Sequence, residues 1–135
     1  MLPETIRASL NGVVPSQMAT VSKDGWPNQT IISQVFYVDA NHVAISHQFF
    51  SKSSKNLAEN PRAHVQVMDP ADMTPWFLEV EFDHSETSGD LFEQMEMQLE
   101  AIASMTGMQD IFKLEAAYVF KVLSVRKGTE AQRPA

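Results

Sequence analysis

Between His47 and Arg62 the chain reads HQFFSKSSKNLAENPR, the densest set of anion-binding side chains in the sequence. Ser51, Ser53 and Ser54 supply hydroxyls, while Lys52 and Lys55 supply mobile cations. The segment follows an apolar strand, Val43 to Gln48, and leads into a short helix over 53–60 that Asn60-Pro61 stops. Such spacing predicts hydroxyls and lysines gathered at a helix start. There the first backbone N–H groups have no partner within the helix, and the dipole favours negative charge. Phosphate is the ligand this chemistry suits. Lysines on a short helix can equally be solvated surface groups, but two lysines, three serines and a helix start together favour the anion site.

Ser33 and Gln34 interrupt an otherwise apolar strand. They either satisfy neighbours inside a barrel or face a ligand. His42, His47, His64 and His84 never occur at HxxxH or related spacing, so no metal site is read from them. His42 belongs to a turn and His84 to a strand end, which makes both surface residues; His47 stands beside the hydroxyl-rich corner. No Ser-His-Asp pattern, P-loop or GxGxxG is present, and no catalytic residue is assigned. Glu79, Glu81 and Asp83 alternate on one strand face and read as solvated.

The elements that must position these groups follow from periodicity. A short helix over 3–10, with Pro3 in its first turn, ends at Asn11-Gly12. Gln17 to Ser22 reads as a strand, and Lys23-Asp24-Gly25-Trp26 as a hairpin turn. Residues 28–38 return as one long strand, polar-interrupted on both faces, that lies against core on one side and an interface or ligand on the other. Asp39 to His42 turns again into the Val43–Gln48 strand. Ala63 to Met68 is a fourth strand. Trp76, Leu78, Val80 and Phe82 alternate with Phe77, Glu79, Glu81 and Asp83 in a fifth. Ser88-Gly89-Asp90 caps a helix of about 16 residues whose buried stripe is Leu91, Met95, Leu99 and Ile102. A sixth strand runs from about Tyr118 to Val125. Tight turns join the first three strands, so the sheet is antiparallel. Six such strands with inserted helices give a mainly β chain, a barrel or partly opened barrel.

The 135 residues form one domain, 1–135, with a polar tail from about 127. A net charge of −7 speaks against a nucleic-acid face or an anionic membrane surface. Without cysteine, disulfides and thiolate chemistry are excluded. The N-terminus has no signal-peptide layout and no run is long enough to span a bilayer, so the expected location is cytoplasmic.

With the strand order and the corner in place, the chain resembles the flavin-binding split-barrel proteins typified by pyridoxamine 5′-phosphate oxidase. The likeness runs from roughly Val14 to Val125. Its carriers are Ile45-Ser46, then Ser51-Lys52-Ser53-Ser54-Lys55-Asn56-Leu57, then Asn60-Pro61-Arg62 before a hydrophobic strand. The resemblance implies a six-stranded antiparallel split β-barrel and a homodimer that holds FMN between subunits. By position it implies that Ile31, Ile32, Ser33 and Gln34 lie along the flavin ring, which Ser46, His47, Gln48 and Phe49 border. It places Ser51, Lys52, Ser53, Lys55 and Asn56 around the phosphate. His47 could then donate a proton or hydrogen bond to the reduced ring.

The departures are specific. Where the oxidase has an arginine at the start of the ring-facing strand, this chain has Gln29 or Thr30. The second cation of its Ser-Arg-Lys segment is Ser53 here, and its later glutamine falls near Trp76 or Phe77. Its C-terminal arginine and histidine have no counterpart in Arg126-Lys127-Gly128. Pyridoxamine-phosphate oxidation is therefore not implied. Two functions stay open. One is a flavin-dependent oxidoreductase passing electrons from a reduced nicotinamide or other small donor to an unknown acceptor. The other is a non-catalytic flavin carrier, sensor or stress module. Deazaflavin F420 or haem on the same scaffold is a further alternative.

Overall fold

The computed structural model describes residues 1–10, 14–32, 35–47, 51–106 and 116–128, without the side chains of 47, 51, 52 and 102–106. A 3-10 turn, Glu4–Ile6, leads into the short helix α1, Arg7–Leu10. The strands are β1 (Ser16–Val21), β2 (Pro27–Ile32), β3 (Phe36–Asp39), β4 (His42–His47), β5 (Arg62–Met68), β6 (Pro75–Glu86) and β7 (Ala116–Lys127). Helix α2 (Ser51–Glu59) lies between β4 and β5, and α3 (Asp90–Thr106) between β6 and β7. Among the described residues no helix is long and apolar enough to cross a membrane.

All seven strands form one antiparallel sheet in the order β2-β1-β5-β6-β7-β4-β3. The mainly β architecture expected from the alternating pattern is what the chain adopts, with one strand more than expected. Residues 28–38 are not a single strand. They divide into β2, paired with β1 at one edge, and β3, paired with β4 at the other. Laid flat, seven strands would separate those edges by about 29 Å. Yet Ile32 and Phe36 are four residues apart, a reach of about 14 Å at most. The sheet must therefore curl until its edges approach. Among the described residues no ladder joins β2 to β3, so the barrel is split there.

The β1–β2 hairpin turns at Gly25, whose φ of +87° favours glycine. The Trp26 amide bonds Ser22 Oγ and the Ser22 amide bonds the Trp26 carbonyl, which close the loop.

Inside the barrel, Met18, Ile32, Val43, Ile45, Val65, Val67, Leu78, Val80, Phe120 and Val122 interlock. Phe120 meets the ring of Phe82 edge-on at 5.7 Å. Helix α3 lies outside the sheet, where Met95 and Leu99 cover Phe36, Ala44, Ala117 and Val119. This cover explains why β4 is buried on both faces, with Val43 and Ile45 inward and Ala44 outward. The expected α3 stripe holds at Leu91, Met95 and Leu99; the Ile102 side chain lies outside the described residues.

Candidate functional site

Helix α2 closes one end of the barrel. On one side it is tied to the β1–β2 hairpin: Asn28 Nδ2 donates to Ser53 Oγ at 2.9 Å, and Asn56 Nδ2 donates to Thr20 Oγ1 at 3.1 Å. On the other, Ser54 Oγ meets the Tyr118 hydroxyl of β7 at 2.7 Å. Leu57 drops into the core between these ties. Hydrogen bonds from two sides of the helix hold its start in one position relative to β2.

Ser53 and Asn56 are thus buried, and their side chains serve the clasp. Lys55 points to solvent. The Ser51 and Lys52 side chains lie outside the described residues, although their backbone opens α2. The first turn of α2 contains no acidic residue, whereas that of α3 contains Asp90 and Glu93. An acid near a helix start normally offsets the dipole. Leaving it out in an acidic protein keeps the α2 start electropositive.

Ile31 and Ile32 occupy the end of β2 and face opposite ways: Ile32 is core, while Ile31 is 72 % exposed. Asn28, where α2 is tied, lies three residues back, roughly 10 Å along the strand. Ser46 is buried at the end of β4, opposite Ala117, and the His47 backbone pairs with Ala116. Ser33, Gln34, Gln48 and Phe49 lie outside the described residues. The described part of the expected set is therefore distributed over β2, the end of β4 and the start of α2.

Because Asn56 is the donor that satisfies the fully buried Thr20 hydroxyl, Asn56→Ala should cost about 1–3 kcal/mol. Pairing it with Thr20→Val should recover part of that loss. Urea unfolding of both variants checks this, and equal stability of the two would exclude the bond as the cause.

The other three histidines are paired with carboxylates. His42 begins β4 rather than lying in a turn, half-buried with Nδ1 2.9 Å from Asp39 Oδ1. That contact, together with the Asn41 amide, holds the Asp39 carboxyl below its usual range. His64 lies on the outer sheet face with Nδ1 3.1 Å from Glu79 Oε1 and its ring near Phe77. Glu79 also faces Arg126, and Glu81 faces Arg62, so these carboxylates are partly exposed and paired.

His84 is exposed between Asp83 Oδ2 at 2.6 Å and Glu86 Oε2 at 2.9 Å. Those bonds, to Asp83 first and Glu86 second, raise its pKa above 6.5. Its stabilisation is therefore complete below pH 6.5 and fades as pH rises through the folded-state value. His84→Asn should lower stability in acid more than in alkali, by under about 1 kcal/mol given the exposure. Melting temperatures across pH test this; a difference that grows with pH would overturn the assignment.

A second concavity, with a volume of ≈ 230 Å³, lies between α1, β3 and α3, lined by Arg7, Leu10, Val35, Phe36, Tyr37, Leu91, Gln94 and Gln98. Sequence reasoning did not find it, because its residues come from three distant segments and carry no motif.

Solved structures of similar shape share the fold. An FMN-binding protein from Syntrophomonas wolfei superposes with a TM-score of 0.77 at 19% identity, covering 92% of this chain and 84% of its own. A structure described as an F420 reductase gives 0.64 at 13% identity, covering 93% of this chain and 98% of its own. The haem storage protein HutZ from Vibrio cholerae gives 0.57 at 17% identity, covering 84% of this chain and 86% of its own. At such identities the likeness concerns the fold. No curated protein matches the chain. The family model described as pyridoxamine 5′-phosphate oxidase matches residues 2–123, nearly the whole chain, and the chain belongs to that family.

Proposed function

We propose that the protein binds FMN with its phosphate at the start of α2 and its ring along the end of β2. The observation that carries this reading is the clasped helix α2. Its start has no acidic residue in the first turn and carries Lys52 and Lys55. Backbone N–H groups of Ser51 to Ser54, with the two lysines, would take the phosphate. Ser53 and Asn56 would act by holding the helix in place. Ile31 to Gln34 would line the ring, with Ser46, His47, Gln48 and Phe49 at its border.

When bound, the flavin supplies the redox chemistry, accepting a hydride from a small donor and passing electrons on. The chain would orient the ring, exclude water from it, and place His47 where a proton can be given or taken. We assign it as a flavin-dependent oxidoreductase that works as a homodimer with the cofactor between subunits. The exposed Ile31 and Trp26 on the β1–β2 hairpin support a partner on that side.

The absorption spectrum of the purified protein tests cofactor identity. A flavin spectrum that bleaches anaerobically with NADH or NADPH supports the oxidoreductase. Retained colour without bleaching by NADH or NADPH would favour a carrier. Haem is the second reading, favoured by the fold shared with HutZ; a Soret band in place of flavin bands would establish it. A deazaflavin absorbance would do the same for F420, the reading suggested by the F420 reductase likeness.

A further inference from the structure

We propose that the cavity between α1, β3 and α3 is a second binding site, for a small planar carboxylate built on one aromatic ring. Three features of its walls choose that ligand. Arg7 supplies a guanidinium whose carbon lies 4.2 Å from the centroid of the Tyr37 ring, so the cation is held over a flat surface. A guanidinium fixed this way presents paired N–H donors that match a carboxylate. Leu10, Val35, Phe36 and Leu91 give the floor a small apolar patch beneath walls that are mainly polar, room for one face of a ring.

Charge placement on α3 supports the assignment. The helix is acidic, with Asp90, Glu93, Glu96 and Glu100, yet the positions it turns toward the cavity are Leu91, Gln94 and Gln98. Two carboxamides one helical turn apart replace the carboxylates that would otherwise neutralise Arg7. Among the described residues Glu4 pairs with Arg7, at 3.7 Å and largely exposed. An exposed pair of that length is weak and screened, so an incoming carboxylate can displace it.

Size narrows the ligand further. At ≈ 230 Å³ the cavity is smaller than the ~300–1,000 Å³ of sites for drug-sized molecules. One ring fits; a nucleotide or a tricyclic flavin does not. The cavity shares no lining residue with the proposed cofactor site. It stands close to it nonetheless, because Val35 follows Gln34 directly in the chain.

Benzoate is a suitable probe, with benzamide as its neutral counterpart, titrated into isotope-labelled protein as purified and followed by amide NMR shifts. Benzoate should move the amides of Tyr37, Leu91 and Gln94 and bind with a Kd below about 1 mM, benzamide about tenfold more weakly. Arg7→Gln should weaken benzoate by about tenfold or more without changing flavin content. Glu4→Gln, which removes the competing carboxylate, should tighten it. Absence of saturable shifts at the cavity would overturn the proposal, as would unchanged affinity in Arg7→Gln. Shifts confined to α2 would also overturn it, since they would place the carboxylate at the phosphate position. Because flavin content is measured separately, failure here leaves the cofactor reading standing.

Discussion

A protein carrying Lys52→Ala and Lys55→Ala together should retain FMN more than tenfold less well than the parent, with its fold intact. Tenfold corresponds to about 1.4 kcal/mol, the lower end of what charge-assisted contacts to a phosphate contribute. The fold should survive because Lys55 faces solvent and the helix is held by Ser53, Ser54 and Asn56, none of which changes. The measurement is equilibrium binding of FMN to apoprotein, with far-ultraviolet circular dichroism and melting as controls. Retention equal to the parent in a folded variant would remove the phosphate from α2. Raising the salt concentration should weaken binding to the parent more than to the variant, since screening acts on the charges that the variant lacks.

The largest expected effect on stability comes from Phe120→Ala. Phe120 has no exposed surface, sits on β7 between the ladders to β4 and β6, and meets Phe82 edge-on. Truncating a fully buried aromatic costs about 3–5 kcal/mol in lost transfer energy and cavity formation. That is a large share of the 5–15 kcal/mol that holds a typical domain together. Denaturant unfolding should show the midpoint falling sharply. A loss under about 1 kcal/mol would mean that the barrel collapses readily onto the missing ring, in conflict with a core fixed by seven strands. Phe120→Leu should recover much of the loss.

Period-two alternation revealed β6 because one face of it is solvated: Trp76, Leu78 and Val80 are buried, while Phe77, Glu79 and Glu81 are not. The α3 stripe was visible for the same reason, with Met95 and Leu99 against the sheet and Glu96 and Glu100 in water. Residues 28–38 misled because no Gly or Pro marks the point where the chain leaves one edge of the sheet and begins the other. That division depends on β1 and β4, the partners each half finds, and on nothing local. Composition could show that Ser53 and Asn56 are polar groups near an anion-binding segment. It could not show that both turn inward to Asn28 and Thr20, because a residue that clasps a helix and one that grips a ligand have the same chemistry. The Arg7 cavity was hidden more completely, since its walls meet only after α3 has crossed the outside of the sheet.

The place of β7 in the strand order bears on how the molecule is made. It is the last of the seven described strands in chain order, yet it lies between β6 and β4, near the middle of the sheet. Until it arrives, the β3–β4 hairpin has no bridge to β5 and β6, and the apolar sides of Val43 and Ile45 wait without their partners. His42 pairs with Lys121 across most of the chain, a closure that local hairpins cannot nucleate. Closure of the barrel therefore waits for β7, and before it the chain passes through a stage in which two unfinished sheet edges are open to the wrong neighbour.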